Sequence, residues 1–225
     1  MTKWVNDGVP DDVIQSALSV LHPTGIPFLD MCMWKTRFPS AKARFCTEEL
    51  KVFPMENQVV IPALKAGLEV TQWLGVRWDE SRARSNLVER ERADAGHWLY
   101  RPILSWTSAQ VFDKISAYGI EPNPLYKLGL GRVGCMPCIF ARKAELLEIA
   151  KRFPEEIDRV RKWEAIVGQA SRRRKATFFP SSAELGQGGI DSDVLWSKTS
   201  RGGRQLTIDA MLESPSCSSL YGLCE

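Results

Sequence analysis

The 225 residues carry 30 lysines and arginines against 27 aspartates and glutamates, a formal charge of +3 that is too small to argue for nucleic acid by itself. With 44% hydrophobic and 25% charged residues, the composition excludes a disordered chain and is sufficient for a sizeable core. No apolar run is long enough for a membrane span, and the opening residues lack the apolar stretch of a secretory signal.

The elements are predicted in chain order. Residues Asp11 to Leu21 read as an amphipathic helix with Val13, Ile14, Ala17, Leu18 and Leu21 on one face and two aspartates in the first turn. A proline-broken segment is expected up to Pro39, then a helix from Val52 to Gly67 interrupted near Pro62. The apolar run Val70 to Val76 predicts a short buried strand leading into a charged loop, Arg77 to Arg84. A second short strand is expected over Trp98 to Leu104. Thr107 followed by Gln110 is a capping-box signal, with Gly119 as the stop, and predicts a helix between them. Prolines and glycines from Pro122 to Gly134 mark an irregular loop that carries Cys135 and Cys138. Helices are expected over Arg142 to Phe153 and Pro154 to Gly168, then a Ser- and Gly-rich tail from Ser171. Strands alternating with helices predict an α/β layer structure, with residues 1–140 as the α/β domain and 141–225 as a helical extension whose tail is anchored by cysteines.

Six cysteines without an export signal point to a reducing, cytoplasmic setting, where thiols serve metal or redox chemistry rather than a disulfide scaffold. Cys135-Met136-Pro137-Cys138 is the strongest local motif, because two intervening residues let both thiolates converge on one ion or cluster. Further ligands must come from distant positions, with Cys46, Cys217 and Cys224 as candidates. Cys32 reads as a small buried hydrophobe. Four thiolates suit zinc and an iron–sulfur cluster alike.

At the exit of the first predicted strand, Gly75-Val76-Arg77 with Glu80, Ser81 and Arg84 places guanidinium groups and a hydroxyl where open α/β sheets bind ligands. Arginine forks match phosphate and sulfate oxygens. Internal arginine–glutamate pairing on a solvated loop is the plainer reading of the same residues. Arg172-Arg173-Arg174-Lys175 is a compact basic run that could contact nucleic acid, or simply complement a helix C-terminus.

Phe45-Cys46-Thr47-Glu48-Glu49-Leu50-Lys51, then Gly75-Val76-Arg77 with Glu80, Ser81 and Arg84, then Asn123-Pro124-Leu125-Tyr126 and Gly134-Cys135-Met136-Pro137-Cys138, resemble in order and spacing the PAPS and adenylyl-sulfate reductase family of the PP-loop superfamily. The resemblance covers roughly residues 38 to 140. It implies a partial PP-loop (adenine nucleotide alpha-hydrolase-like) α/β layer and a reductase or sulfur-transfer enzyme acting on an adenylyl-sulfate-like nucleotide. It further implies that Lys51, Arg77 and Arg84 face the phosphate or sulfate, with Glu80 and Ser81 beside them. By the same resemblance Cys46, Cys135 and Cys138 hold a 4Fe-4S cluster. The reductases have two adjacent cysteines at the first position, and Phe45 stands at one of them here, so the fourth ligand falls to Cys224, with Cys217 as the alternate. The family's Ser-Gly-Gly-x-Asp-Ser phosphate loop has no counterpart before Cys46, which leaves three readings: a truncated form or fragment, a partner chain that supplies the loop, or loss of the nucleotide chemistry. Gln187-Gly188-Gly189-Ile190-Asp191-Ser192 resembles the loop out of order and reads as a flexible connector. The rival function is a non-catalytic module stabilised by zinc or a cluster and binding nucleic acid or a protein.

Overall fold

The computed structural model describes residues 2–179 and 188–200. In chain order the helices are α1 (Thr2–Asn6), α2 (Asp11–Val20), α3 (Pro27–Trp34) and α4 (residues 45–65). Three short strands follow, β1 (Thr71–Trp73), β2 (Arg90–Arg92) and β3 (Trp98–Tyr100). Helices α5 (Ser108–Ala117), α6 (Lys143–Arg152), α7 (Pro154–Gln169) and α8 (Ile190–Ser197) complete the described residues. The chain divides into two compact units, Met1–Cys46 with Leu125–Glu225, and Thr47–Pro124. The α/β character sits in the second unit, and a boundary near residue 140 would cut through the first.

The first unit is helical. Its core joins Leu29, Cys32 and Met33 of α3 to Leu146 and Ile149 of α6, Val160 and Val167 of α7, and Ile190 of α8. An aromatic group stands at the centre. Phe178 lies 5.3 Å from Phe38, 6.3 Å from Phe28 and 5.1 Å from Phe179, with tilted or edge-on rings, the geometry aromatic pairs favour. Phe178 and Phe179 therefore belong to the core, with Ala176 packed against it, while Arg172 to Lys175 before them are exposed. Helix α2 buries Val13, Ile14 and Ala17, as their spacing predicts. Leu18 stays 47% exposed, so the apolar stripe is narrower than the sequence suggests.

Helix α3 replaces the expected proline-broken segment. Pro27 occupies the first turn, where a missing N–H costs nothing. Asp30 accepts hydrogen bonds from the Thr24 backbone N–H and hydroxyl at 2.8 and 2.5 Å, which stitches the preceding turn to the helix. Helix α4 starts at Phe45 rather than Val52 and passes through Pro54 and Pro62 without ending. Two π-helical segments, Glu48–Val52 and Glu56–Val60, each precede a turn containing a proline. A widened turn accommodates the proline ring and its missing donor, which a regular turn cannot.

In the second unit the sheet order is β1-β3-β2, with β1 parallel and β2 antiparallel to β3. Both expected strands are shorter than predicted. The buried strand expected over Val70 to Val76 pairs over Thr71–Trp73 alone, with Trp73 70% exposed. Residues beyond Tyr100 turn rather than extend, held by the Leu104 N–H donating to the Arg101 carbonyl. Helix α5 forms as its capping box predicts: the Thr107 side chain accepts the Gln110 N–H, and Gln110 accepts the Thr107 N–H at 2.8 Å. Gly119, at φ 66°, ends it.

Candidate functional site

The thiols lie in the first unit. Cys46 is in the first turn of α4 and is half-buried. Phe45 beside it is 7% exposed and belongs to the hydrophobic core, so the position that a second cysteine holds in the reductases is here a packing residue. Cys135 is exposed and Cys138 half-buried, on the loop between Tyr126 and α6. That loop is held at both ends of the motif. Arg159 of α7 donates to the Met136 carbonyl at 2.8 Å, and the Ala141 N–H donates to the Cys138 carbonyl at 2.8 Å. Met136 and Ile139 pack against the core. The pair thus presents two thiols at metal-ligand spacing from an anchored loop, which fits half of a thiolate site.

Among the described residues no group of three or more His, Cys, Asp or Glu side chains is gathered as metal ligands would be. Cys217 and Cys224, the expected completing ligands, lie outside the described residues. Cys46, Cys135 and Cys138 are therefore not gathered into a three-thiolate ligand set. Cys32 is completely buried in the core, and burial first, then the charge of nearby Cys46, pushes its thiol up to about 12. That burial matches the small hydrophobe expected from sequence; the nearness of Cys32 to Cys46 has no sequence signal.

The arginine loop lies in the second unit. Arg77 precedes a 3-10 turn, Trp78–Glu80, that follows β1. Its guanidinium donates to Asp79 Oδ1 at 3.0 Å and to Ser108 Oγ at 3.0 Å, and lies 3.6 Å from Glu80. Asp79 in turn accepts the Ser108 N–H at 3.0 Å, at the first turn of α5. Arg84 pairs with Glu80, and the Arg84 N–H donates to Ser81 Oγ at 3.3 Å. The structure brings Arg77, Glu80, Ser81 and Arg84 together. Lys51 stands exposed in the first π-helical segment of α4.

The loop from Arg77 to Arg84 carries three guanidiniums, Arg77, Arg82 and Arg84, against the carboxylates of Asp79 and Glu80, a local excess of one positive charge. An incoming sulfate or phosphate would compete with Asp79 and Glu80 for Arg77, whose side chain is only 18% exposed. Arg84, 45% exposed, is the more accessible fork. Asp79 and Ser108 are the residues that sequence reasoning missed. Ser108 follows a cap residue, and nothing in its neighbourhood signals an arginine partner 31 positions away.

The out-of-order glycine segment does open a helix, contrary to the expected connector. Gly189 caps α8 at φ 119°. The Ile190 N–H donates to Glu164 Oε2 at 2.9 Å and the Phe178 N–H to Glu164 Oε1 at 2.7 Å. A carboxylate of the chain itself thus occupies the position a phosphate would take at a helix N-terminus. The basic run at 172–175 is partly neutralised as well. Arg172 donates to Asp7 at 2.9 Å and Arg174 pairs with Asp12.

Taken together, these features define a mixed α/β protein that combines an arginine-bearing loop at a strand exit with an anchored pair of thiols. Residues 32–141 match the phosphoadenosine phosphosulfate reductase domain. The chain belongs to that family. A 37.8 kDa protein of Escherichia phage 186 is 49% identical over 94% of this chain and 69% of its own length. The adenosine 5'-phosphosulfate reductase of Burkholderia cepacia is 36% identical over 35% of this chain. The phosphoadenosine 5'-phosphosulfate reductase of Synechocystis is 30% identical over 52% of it. These matches span 32% and 44% of the two reductases' own lengths. No solved structure matches the chain. Among the described residues no helix is long and apolar enough to cross a membrane.

Proposed function

We propose that the protein acts in reduction or sulfur transfer on an adenylyl-sulfate-like nucleotide in the cytoplasm. The observation that carries this reading is the loop after β1, where Arg77 and Arg84 both pair with Glu80 and Ser81 Oγ accepts the Arg84 N–H, within the segment that matches the reductase domain. Arg84 would meet the anion first. Arg77 would follow by exchanging Asp79 or Glu80 for sulfate or phosphate oxygens, and Lys51 would supply further positive charge. Such an exchange replaces one charge-assisted bond with another, so it costs little if the anion is as well desolvated as the carboxylate. A partner chain would provide the phosphate loop, and an external donor the electrons.

The metal reading belongs to this proposal too. Cys135 and Cys138 would supply two thiolates of a 4Fe-4S centre, Cys46 the third, and Cys224 or Cys217 the fourth. The centre would order the fold of the helical unit when bound.

Two measurements test the proposal. Titration of the full chain with adenosine 5'-phosphosulfate should show binding that Arg84→Ala weakens and Arg77→Ala abolishes. Retention of affinity in both variants would remove the anion role of the loop. Anaerobically purified protein should be brown, with a band near about 400 nm that bleaches on reduction and is lost in Cys135→Ser and Cys138→Ser.

One observation favours a second reading, a non-catalytic module holding zinc and binding nucleic acid or a protein. The pairing of Arg77 with both Asp79 and Glu80 is what a structural ion-pair network looks like. Colourless protein with stoichiometric zinc and no affinity for the nucleotide would select it.

A further inference from the structure

We propose that the exposed face of the three-stranded sheet binds single-stranded nucleic acid. The register places Thr71, Trp98 and Arg92 in one cross-strand row and Trp73, Tyr100 and Arg90 in the next. Directly paired residues share a face of the sheet, so all six side chains emerge on the same side. The ring contacts agree. Trp73 and Tyr100 meet edge to face with centroids 5.2 Å apart, and the guanidinium carbons of Arg90 and Arg92 lie 4.4 and 4.3 Å from the centroid of Trp98.

The sheet's two faces differ in kind. The intervening positions, Gln72, Glu91 and Leu99, are half-buried, and beneath them His97 meets Gln72 at 3.0 Å while buried Arg101 pairs with Glu91. That side is the inner one. On the outer side Thr71, Arg90 and Arg92 are exposed and Trp73 is 70% exposed. A sheet face turned to water ordinarily carries polar side chains. This one carries three aromatic rings and two guanidiniums, with no carboxylate among the six positions.

That combination has a specific complement. Aromatic rings on an open sheet stack bases, and they do so with little regard to sequence because every base has a π-face. A guanidinium stacked on an indole still directs its N–H edges outward, where phosphate oxygens can accept them. Arg92 gives one of its N–H groups to the Gly96 carbonyl and has others to offer. A flat, anionic, base-bearing strand satisfies both halves of the surface. A protein partner would satisfy the rings alone and leave the cations to be desolvated. Glu69 marks one limit of the surface, since its carboxylate accepts the Trp98 Nε1–H at 3.0 Å and repels phosphate there. The surface lies entirely in the second unit and owes nothing to the thiols or the Arg77 loop, so it stands or falls separately from the activity proposed above.

The test is fluorescence anisotropy of the full chain with a labelled oligothymidylate of about 12 nucleotides, a length within the range such platforms cover. Intrinsic tryptophan fluorescence should be quenched on binding. Trp73→Ala should raise Kd about tenfold or more, the effect expected of one lost base stack. Arg90→Ala with Arg92→Ala should lower the slope of log K against log salt by about 0.7 for each phosphate that is no longer neutralised, and Glu69→Gln should tighten binding. All four positions lie at the surface, and circular dichroism confirms that the variants fold. The proposal is overturned if oligothymidylate does not bind, if duplex DNA binds equally well, or if adenosine monophosphate displaces the strand stoichiometrically, which would make the face a mononucleotide site. It is also overturned if Trp73→Ala abolishes self-association while leaving oligonucleotide affinity unchanged.

Discussion

Replacing Glu164 by alanine should destabilise the helical unit more than any substitution at an exposed charge. The carboxylate sits on α7 and receives two backbone N–H groups, Phe178 at 2.7 Å and Ile190 at 2.9 Å, joining α7 to the core-forming segment and to the first turn of α8. A hydrogen bond to a charged group contributes about 1.5–3 kcal/mol, so two give a ceiling of about 3–6 kcal/mol. Water admitted by the truncation recovers part of this, which leaves a loss of about 3 kcal/mol. For a chain of this size each kcal/mol moves Tm by about 2–4 °C, so a fall of about 6–12 °C is expected in the transition of the helical unit. Hydrogen exchange gives the site-specific readout: the amides of Phe178 and Ile190 should lose protection before their neighbours. Gly189→Ala should act on the same clasp, since its Cβ would stand 3.0 Å from Glu164 Oε2 on backbone at φ 119°, and the two losses should be less than additive. An unchanged Tm with both amides still protected would refute this account of the clasp.

The same residue predicts a pH dependence. Burial raises the Glu164 carboxyl above its ordinary value despite the two N–H donors, so the folded state holds its proton more tightly than the unfolded state does. The associated stability is fully present below the ordinary glutamate range and declines as pH rises through the raised folded value, a decline that Glu164→Gln should flatten. Asp191, held low by Arg161, works in the opposite sense, its contribution being lost only on acidification below the ordinary aspartate range. Phe178→Ala removes the central ring of the aromatic group and should cost about 3–5 kcal/mol by chemical denaturation. Thr107→Ala deletes the cap of α5 and should cost about 0.5–2 kcal/mol, read in the unfolding of the second unit. Alkylation of metal-free protein with iodoacetamide should label exposed Cys135 first and leave Cys32 unmodified until the chain unfolds, as peptide mass mapping will show.

Features whose cause is local were legible in the chain of letters. The cap at Thr107, the stop at Gly119, the amphipathic stripe of α2 and the paired helices α6 and α7 depend on residues within a few positions of each other. The linked motifs from Phe45 to Cys138 carried the family for a similar reason, since order and spacing survive without coordinates. Other features escaped because their cause is distant or compensatory. Prolines at 54 and 62 signal a break, but π-helical turns absorb them. The glycines at 188 and 189 signal a connector, but Glu164, 26 residues before Ile190, turns them into a helix start.

The candidate site divides along the same line. Residue type and order alone determined that arginines follow β1 and that two thiols stand two residues apart, because both are properties of adjacent letters. Only the tertiary structure decided that Arg77 is already held by Asp79 and Ser108, that Phe45 is core, and that Arg90 and Arg92 lie over Trp98. Those outcomes depend on which side chains the fold brings within a few ångströms, and sequence separation does not encode that.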